Sequence, residues 1–280
     1  MRTCCKKDGE TSPRTAIVAE TVRPVDLRLG DVLLYHGTGP MADLIRDFEG
    51  PGAAYSHAGI FDGANVMESL PGVGIQISSI VKSVDVHLFV DVFRFQSHDG
   101  KDLDDAGYTS IPLANRIEFY ESNAEQYAYE PSLLVAVLAA TRRVPLGTLS
   151  TVLSRVLDDA GAELDKILAA GKEPLISSEL VSRCYAEAGR EYRLVVVRKT
   201  AQGNAAWNRS APTEPETPDD ADVRRRAASF LARYAVAKSV PVEVSAEGTV
   251  AGPALNVADF VTPHDLSRSI SLYKIGRLQL

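Results

Sequence analysis

The stretch Tyr55-Ser-His-Ala-Gly-Ile-Phe61, continued by Asp62-Gly-Ala-Asn-Val-Met-Glu-Ser69, decides how this chain is read. An Asp-Gly pair between two short apolar runs is a strong hairpin signal. The segment His57–Phe61 is therefore expected as one strand, and Asn65-Val-Met-Glu68 as its return. Facing residues on such strands lie close together. A carboxylate on the second strand can accept one ring N–H of a histidine on the first and stabilise the imidazolium. His57 and Glu68 thus have the makings of a base and its orienting acid.

A nucleophile for that base needs an electropositive seat, which a helix N-terminus supplies through its unpaired N–H groups and its dipole. The segment Ile176-Ser-Ser-Glu-Leu-Val-Ser-Arg-Cys-Tyr-Ala-Glu-Ala-Gly189 offers one. Glu179, Leu180, Val181, Cys184 and Tyr185 follow helical spacing, and Gly189 is the expected stop in a left-handed conformation. Ser177 stands at the start, where serine alone reads as an ordinary N-cap. Backbone N–H groups near Ser177 and Ser178 would suit a developing oxyanion. Cys184 lies about 10 Å further along the helix at 1.5 Å per residue, so it reads as a small core residue.

Around these segments, Leu29-Gly-Asp-Val-Leu-Leu-Tyr35 reads as a Gly-Asp turn opening a strand, and strand signals dominate from about residue 23 to Phe95. Val84, Val86, Leu88, Val90 and Val92 alternate with Asp85, His87, Phe89, Asp91 and Phe93, the period of a half-buried strand. Beyond Asn115 the pattern is helical. Pro131 suits the first turn of a helix to about Arg143, and Leu133–Ala140 is apolar all round, so that helix should be buried. Thr148–Ala170 has apolar residues at helical spacing with acids between, an amphipathic helix or helix pair. Val223–Ala237 presents Ala227, Phe230, Leu231 and Tyr234 on one face, with Arg224, Arg225, Arg226 and Arg233 as a solvated face. Val261–Leu266 reads as a turn into a short helix.

Met1 to about Val22 is a loose polar leader on this reading, and Asn204–Asp222, which carries the only tryptophan, Trp207, is a mobile loop rich in Pro, Glu, Asp and Thr. No internal repeat, Gly-rich phosphate loop or metal-ligand cluster stands out, so neither metal nor cofactor is expected. The 280 residues are 45% hydrophobic and 24% charged, with a net charge of -7, which argues against a broad nucleic-acid surface. The three cysteines, Cys4, Cys5 and Cys184, make no disulfide framework. The longest apolar run is far shorter than the roughly 20 residues of a membrane helix, and the polar start carries no secretory signal. The expectation is a cytoplasmic protein. The remaining histidines have lesser expected roles: His36 in a loop at the site mouth or away from it, His87 in reserve as third triad member, His98 in a loop and His264 in a cap or turn.

Taken together, the three segments resemble the circularly permuted NlpC-type papain-like hydrolases, the group often called YiiX/YebB-like. That group pairs a Gly-Asp turn, a Ser-His-(Val/Ala)-Gly-Ile strand and a glutamate on the next strand with a late Cys-Ser-Glu-Leu-Val helix start. Gln126-Tyr-Ala-Tyr-Glu130 resembles its Tyr-containing segment, and Thr262-Pro-His-Asp-Leu-Ser-Arg-Ser269 its ending. The resemblance covers about residues 27–94, 124–143, 174–192 and the last twenty. It implies an α+β fold with an antiparallel sheet or small barrel packed against helices, over residues 23–280. A helical insertion at about 145–172 and the loop at 204–222 would be additions.

By the same resemblance the family's catalytic cysteine falls on Ser177, so His57, Glu68 and Ser177 are the catalytic candidates. Tyr35, Tyr129 and Ser178 are the substrate-binding ones. The implied activity is that of a cysteine-type hydrolase or acyltransferase working through an acyl-enzyme on an amide, ester or thioester, a lipid or acyl-amide being slightly favoured. The helix of Thr148–Ala170 would then suit a lid over an acyl chain, at a membrane surface or free of one, although packing into the core is the first expectation for it. A serine hydroxyl ionises far less readily than a thiol. Ser177 is then a silencing substitution, a natural serine nucleophile or the mark of a pseudoenzyme. The alternative functions are a catalytically dead binding module for a peptide, lipid or protein, a peptidoglycan or isopeptide peptidase, and a toxin or defence effector made safe by mutation.

Overall fold

The computed structural model describes residues 20–142, 149–196, 218–238 and 260–280. In chain order it runs β1 (Thr21–Val22), β2 (Val32–His36), α1 (Pro40–Glu49), β3 (His57–Phe61), β4 (Val66–Leu70), β5 (Gly74–Ser78), α2 (Ile80–Val84) and β6 (Phe89–Phe95). There follow α3 (Ile111–Ser122), β7 (Tyr127–Ala128), α4 (Pro131–Thr141), α5 (Ser150–Ala169), β8 (Glu173–Pro174) and α6 (Ser177–Ala188). The last elements are α7 (Pro218–Ala237), α8 (Pro263–Ser267) and β9 (Leu272–Leu278). The architecture is α+β, a mixed sheet packed against helices. Its strand order is β1-β9-β6-β2-β3-β4-β5, with β1 parallel to β9 and the other neighbours antiparallel.

The centre of the sheet follows from the sequence at β2. Gly30 takes φ +88°, and a Cβ there would meet the Leu113 side chain at 2.7 Å, so the turn into β2 needs glycine on both counts. Asp31 then accepts the Arg28 N–H at 2.8 Å and is gripped by the Arg94 guanidinium of β6 at 2.7 and 2.8 Å. The Tyr185 hydroxyl of α6 donates to the Gly30 carbonyl at 2.5 Å, which fastens the helix to the same turn. Val32, Leu33, Leu34 and Tyr35 are all fully buried, because both faces of β2 are covered.

One face carries Val32, Leu34, Ala58, Ile60, Met67, Phe93 and Phe95 against Leu113 and Ile117 of α3 and Leu180, Val181, Cys184 and Tyr185 of α6. The other carries Leu33, Tyr35, Phe61, Val66, Val90 and Val92, closed by Val22, Leu27 and Leu278 with Ile80 and Val84 of α2 beside them. A third apolar cluster is helical and joins α1, α4, α5 and α7. In α4 every residue from Ser132 to Ala139 is buried, as its all-round apolar sequence requires. Each of its leucines and valines contributes about 1.5–3 kcal/mol by leaving water.

Several expectations are corrected. The alternation from Val84 to Val92 is not one strand: Val84 ends α2, Val86 and Leu88 are exposed in a turn, and pairing starts at Phe89. A period of two survives in the side chains, but Ser79 caps a helix by accepting the Lys82 N–H, and the backbone follows the cap. The strand-rich first third also contains α1, which starts on Pro40. The end of the leader is structured, since Thr21–Val22 form β1; residues 1–19, with Cys4 and Cys5, lie outside the described residues. Most of the 204–222 loop, with Trp207, also lies outside them, but its last part, Pro218–Asp222, is the first turn of α7.

The segment read as a helix or helix pair is a single helix, α5. Its apolar face, Leu153, Val156, Leu157, Ala160, Leu164 and Ile167, is core against α4 and α7, not a free lid. Arg226 pairs with Asp158 at 3.2 Å and with Asp222 at 2.7 Å, and Arg233 pairs with Asp165, so these arginines meet acids of α5 and α7. Gly189 ends α6 with φ 152° and ψ 163°, an extended positive-φ conformation and not the left-handed helical one. Among the described residues no helix is long and apolar enough to cross a membrane.

Candidate active site

His57 is the first residue of β3, and Glu68 lies on β4 opposite Gly59. The two side chains therefore leave the same face of the sheet on a diagonal. Gly59 makes the diagonal passable. A Cβ there would lie 3.1 Å from the Tyr35 hydroxyl and 2.8 Å from Val66 Cγ1. Across this gap His57 Nε2 stands 3.0 Å from Glu68 Oε2. A carboxylate can only accept, so Nε2 carries the hydrogen and Nδ1 is the ring nitrogen left for proton transfer. Burial pushes the Glu68 carboxyl up, but the hydrogen bond and charge of His57, with the Ser78 and Ser83 hydroxyls nearby, hold it below the usual carboxylate range. Glu68 is 2% exposed and His57 8%, so the pair is almost closed to solvent.

The wall around the histidine is aromatic. Tyr35, the register partner of His57 on β2, places its ring centroid 5.1 Å from the imidazole and shares a hydrogen bond with Ser83 Oγ at 2.7 Å. His87 lies in the turn before β6, not on a strand. Its ring is parallel to that of His57 at 6.0 Å and tilted against Tyr35 at 4.6 Å. Burial, with His57 next to it, lowers the His87 pKa to about 4, so this second imidazole stays neutral at neutral pH. Its buried Nδ1 has no hydrogen-bond partner. His87 stacks on His57, whereas Glu68 is hydrogen-bonded to it at 3.0 Å. His36 ends β2 with Nδ1 at 2.7 Å from the Ala54 carbonyl, which is a strand position and not a loop. His98 lies in a turn and His264 in α8.

Ser177 is the first residue of α6, and the N-cap is Ile176 with φ -70° and ψ 144°. The cap reading for Ser177 is thus displaced by one residue. Its side chain is free of capping duty. The first helical hydrogen bond runs from the Leu180 N–H to the Ile176 carbonyl at 2.9 Å, so the amides of Ser177 and Ser178 precede the helix's own hydrogen-bond ladder. The Ser177 side chain is fully buried beside Tyr129, and its Oγ makes no hydrogen bond. Ser178, also fully buried, donates its hydroxyl to the Val261 carbonyl at 2.8 Å, which leaves only its backbone N–H to offer a substrate. Ser69, next to Glu68, donates to the Leu175 carbonyl at 3.0 Å and so pins the lead-in of α6 to β4.

The structure thus joins two of the three sequence candidates, His57 and Glu68, by a hydrogen bond. Ser177 begins a helix that packs on the opposite face of these strands, the face of Ala58, Ile60 and Met67, and it makes no bond to His57. Cys184 is buried in the α6–sheet layer, where desolvation raises its thiol well above the ordinary range. Sequence reasoning missed Ser83, which lies in α2 just ahead of the run that mimics a strand. Among the described residues no group of three or more His, Cys, Asp or Glu side chains is arranged to hold a metal ion. Compared with known proteins, the chain matches no family model, no curated protein and no solved structure.

Proposed function

We propose that this chain is a circularly permuted papain-like hydrolase or acyltransferase of the NlpC type, working through an acyl-enzyme on an amide, ester or thioester. The observation that carries the reading is the buried His57 Nε2–Glu68 Oε2 bond of 3.0 Å on β3 and β4, whose other face is covered by α6. In the reaction, His57 Nδ1 takes the proton of the nucleophile at position 177 and returns it to the leaving group. Glu68 fixes the ring and stabilises the imidazolium between the two steps. The backbone amides of residues 177 and 178 receive the negative charge that forms on the carbonyl oxygen. Tyr35 and Tyr129 shape the ground on which the acyl part rests. Buried aromatic walls favour an acyl chain or lipid-like substrate over a polar peptide.

The decisive test compares the protein as it stands with Ser177→Cys on panels of phospholipids, acyl-amides, thioesters and acyl-peptides. The expected result is turnover by the cysteine form at least about 100-fold faster than by the serine form, because a thiol ionises far more easily. Absence of turnover by either form overturns the reading.

One observation favours a second reading, a catalytically silent binding module. Ser177 Oγ is fully buried and unbonded, so nothing draws it toward the base. A ligand that binds with the same affinity to Ser177→Cys and is never turned over is the outcome expected of that reading.

A further inference from the structure

The first turn of α6 contains a carboxylate that the reaction has no use for. Glu179 is fully buried, two residues beyond Ser177. An unbalanced negative charge there would oppose any negative charge forming at residue 177, and would cancel the positive end of the helix dipole on which the nucleophile relies. The structure answers it with two cations from opposite directions. Lys238, just past the end of α7, places Nζ 2.6 Å from Glu179 Oε1, and its side chain is fully buried. Arg183, one turn along α6, places Nε 3.0 Å from the same oxygen. The other oxygen accepts the Tyr234 hydroxyl at 3.1 Å and the Ile176 N–H at 3.3 Å. Glu173 of β8 joins the same network, 3.1 Å from Lys238 and 2.8 Å from Arg183.

This is an elaborate arrangement for stability alone. A buried ion pair is commonly matched or bettered by apolar residues of the same volume. What an apolar substitute would lack is the grip of Glu179 on the Ile176 N–H, which sets the angle at which residue 177 enters the helix.

We propose that Glu179 and Lys238 are positioning residues: an ion-paired clamp at the end of α7 that orients the 176–178 turn and offsets the Glu179 charge in the helix field at the nucleophile. The inference rests on the hydrolase reading above for its purpose, but its electrostatics can be measured separately. The probe is the thiol introduced by Ser177→Cys. Its thiolate is followed by ultraviolet absorbance against pH, as a difference from the parent protein, so that Cys4, Cys5 and Cys184 cancel and no reagent need enter the buried site. In this background Lys238→Met raises the thiol midpoint by about one pH unit, roughly a tenfold loss of thiolate below it. Glu179→Gln lowers the midpoint. The double substitution returns it toward the parent value. Lys238→Arg also restores it.

Shifts of opposite sign are what a merely structural role would not produce, and Glu179→Gln alone tests the clamp if Lys238→Met fails to fold. Folded variants whose midpoints do not move, or move in the same direction, overturn the clamp. A parent thiol midpoint at the ordinary value of about 8.5 counts against the hydrolase reading and leaves the clamp to be judged by the shifts.

Discussion

Glu68 and Glu49 are two buried carboxylates in one chain, and their surroundings drive them in opposite directions. Glu68 faces a histidine at 3.0 Å with hydroxyls nearby, and it is held below the usual carboxylate range in spite of its burial. Glu49, at the end of α1, shares one guanidinium with a second acid: Arg142 stands 3.4 Å from Glu49 and 3.3 Å from Asp265. The other oxygen of Glu49 has no partner. Burial raises the Glu49 carboxyl to about 7, with Arg142 opposing the rise and Asp265 adding to it. The contrast teaches that burial alone does not fix the charge of an acid. The number of donors for each oxygen does. Glu68 is built to stay ionised beside a base, whereas Glu49 gains or loses a proton near neutrality.

The largest effect expected from this comparison is at Glu68. In the Ser177→Cys form, Glu68→Gln should lower kcat about 1000-fold, close to 4 kcal/mol of barrier, with KM little changed. Steady-state kinetics on whichever substrate the panel yields would show it, and an unchanged kcat would mean that the pair is structural.

Arg142→Met comes next. It strands Glu49 and Asp265 without their shared cation and should cost about 3 kcal/mol at pH 8. The loss should be smaller at pH 5, where Glu49 is protonated and only Asp265 remains charged. Urea unfolding at the two pH values checks this, and equal losses would break the contrast with Glu68.

The smallest effect, a slope of at most about 1.4 kcal/mol per pH unit, is in the pH profile of Glu49→Gln. Folding raises the Glu49 pKa from 4.5 to about 7, so the native state holds a proton that the unfolded chain has released. Its contribution to stability is complete below about pH 4.5 and is lost as pH rises through 7. His87 runs the other way: folding lowers its pKa from 6.5 to about 4, so its contribution is present above 6.5 and lost as pH falls through 4. Between these limits the two slopes oppose each other. Glu49→Gln should therefore uncover a steady gain of stability from pH 4.5 to 6.5, read by thermal melts across that range. A profile parallel to that of the native protein would show that Glu49 is ionised throughout.

Much of the site was legible because its parts are local. The β3–β4 hairpin could be read from Asp62-Gly63: the Asp62 carboxylate accepts the N–H groups of Ala64 and Asn65, each at 2.6 Å, and the turn brings Glu68 back beside His57. The α6 segment announced itself by spacing, and α4 by its all-round apolar run. The misread parts are those where two local codes overlap. Val84–Val92 has strand alternation, but the helix that Ser79 caps runs up to its first residue, Val84. Thr21–Val22 carry no pattern of their own and become a strand because β9 offers a free edge, 256 residues away by the Thr21–Arg277 register.

The sequence by itself determined the elements whose causes lie within a few residues: the Gly30-Asp31 turn, the hairpin that pairs His57 with Glu68, and, to within one residue of its start, the helix α6. Hydrophobic period and turn chemistry act over that range, so they can be read in one dimension. Only the tertiary structure decided which charges those elements carry. Arg142 reaches Asp265 across 123 residues, and Lys238 reaches Glu179 across 59. Whether a buried acid is ionised depends on such partners, and they come within 4 Å only when the helices have packed.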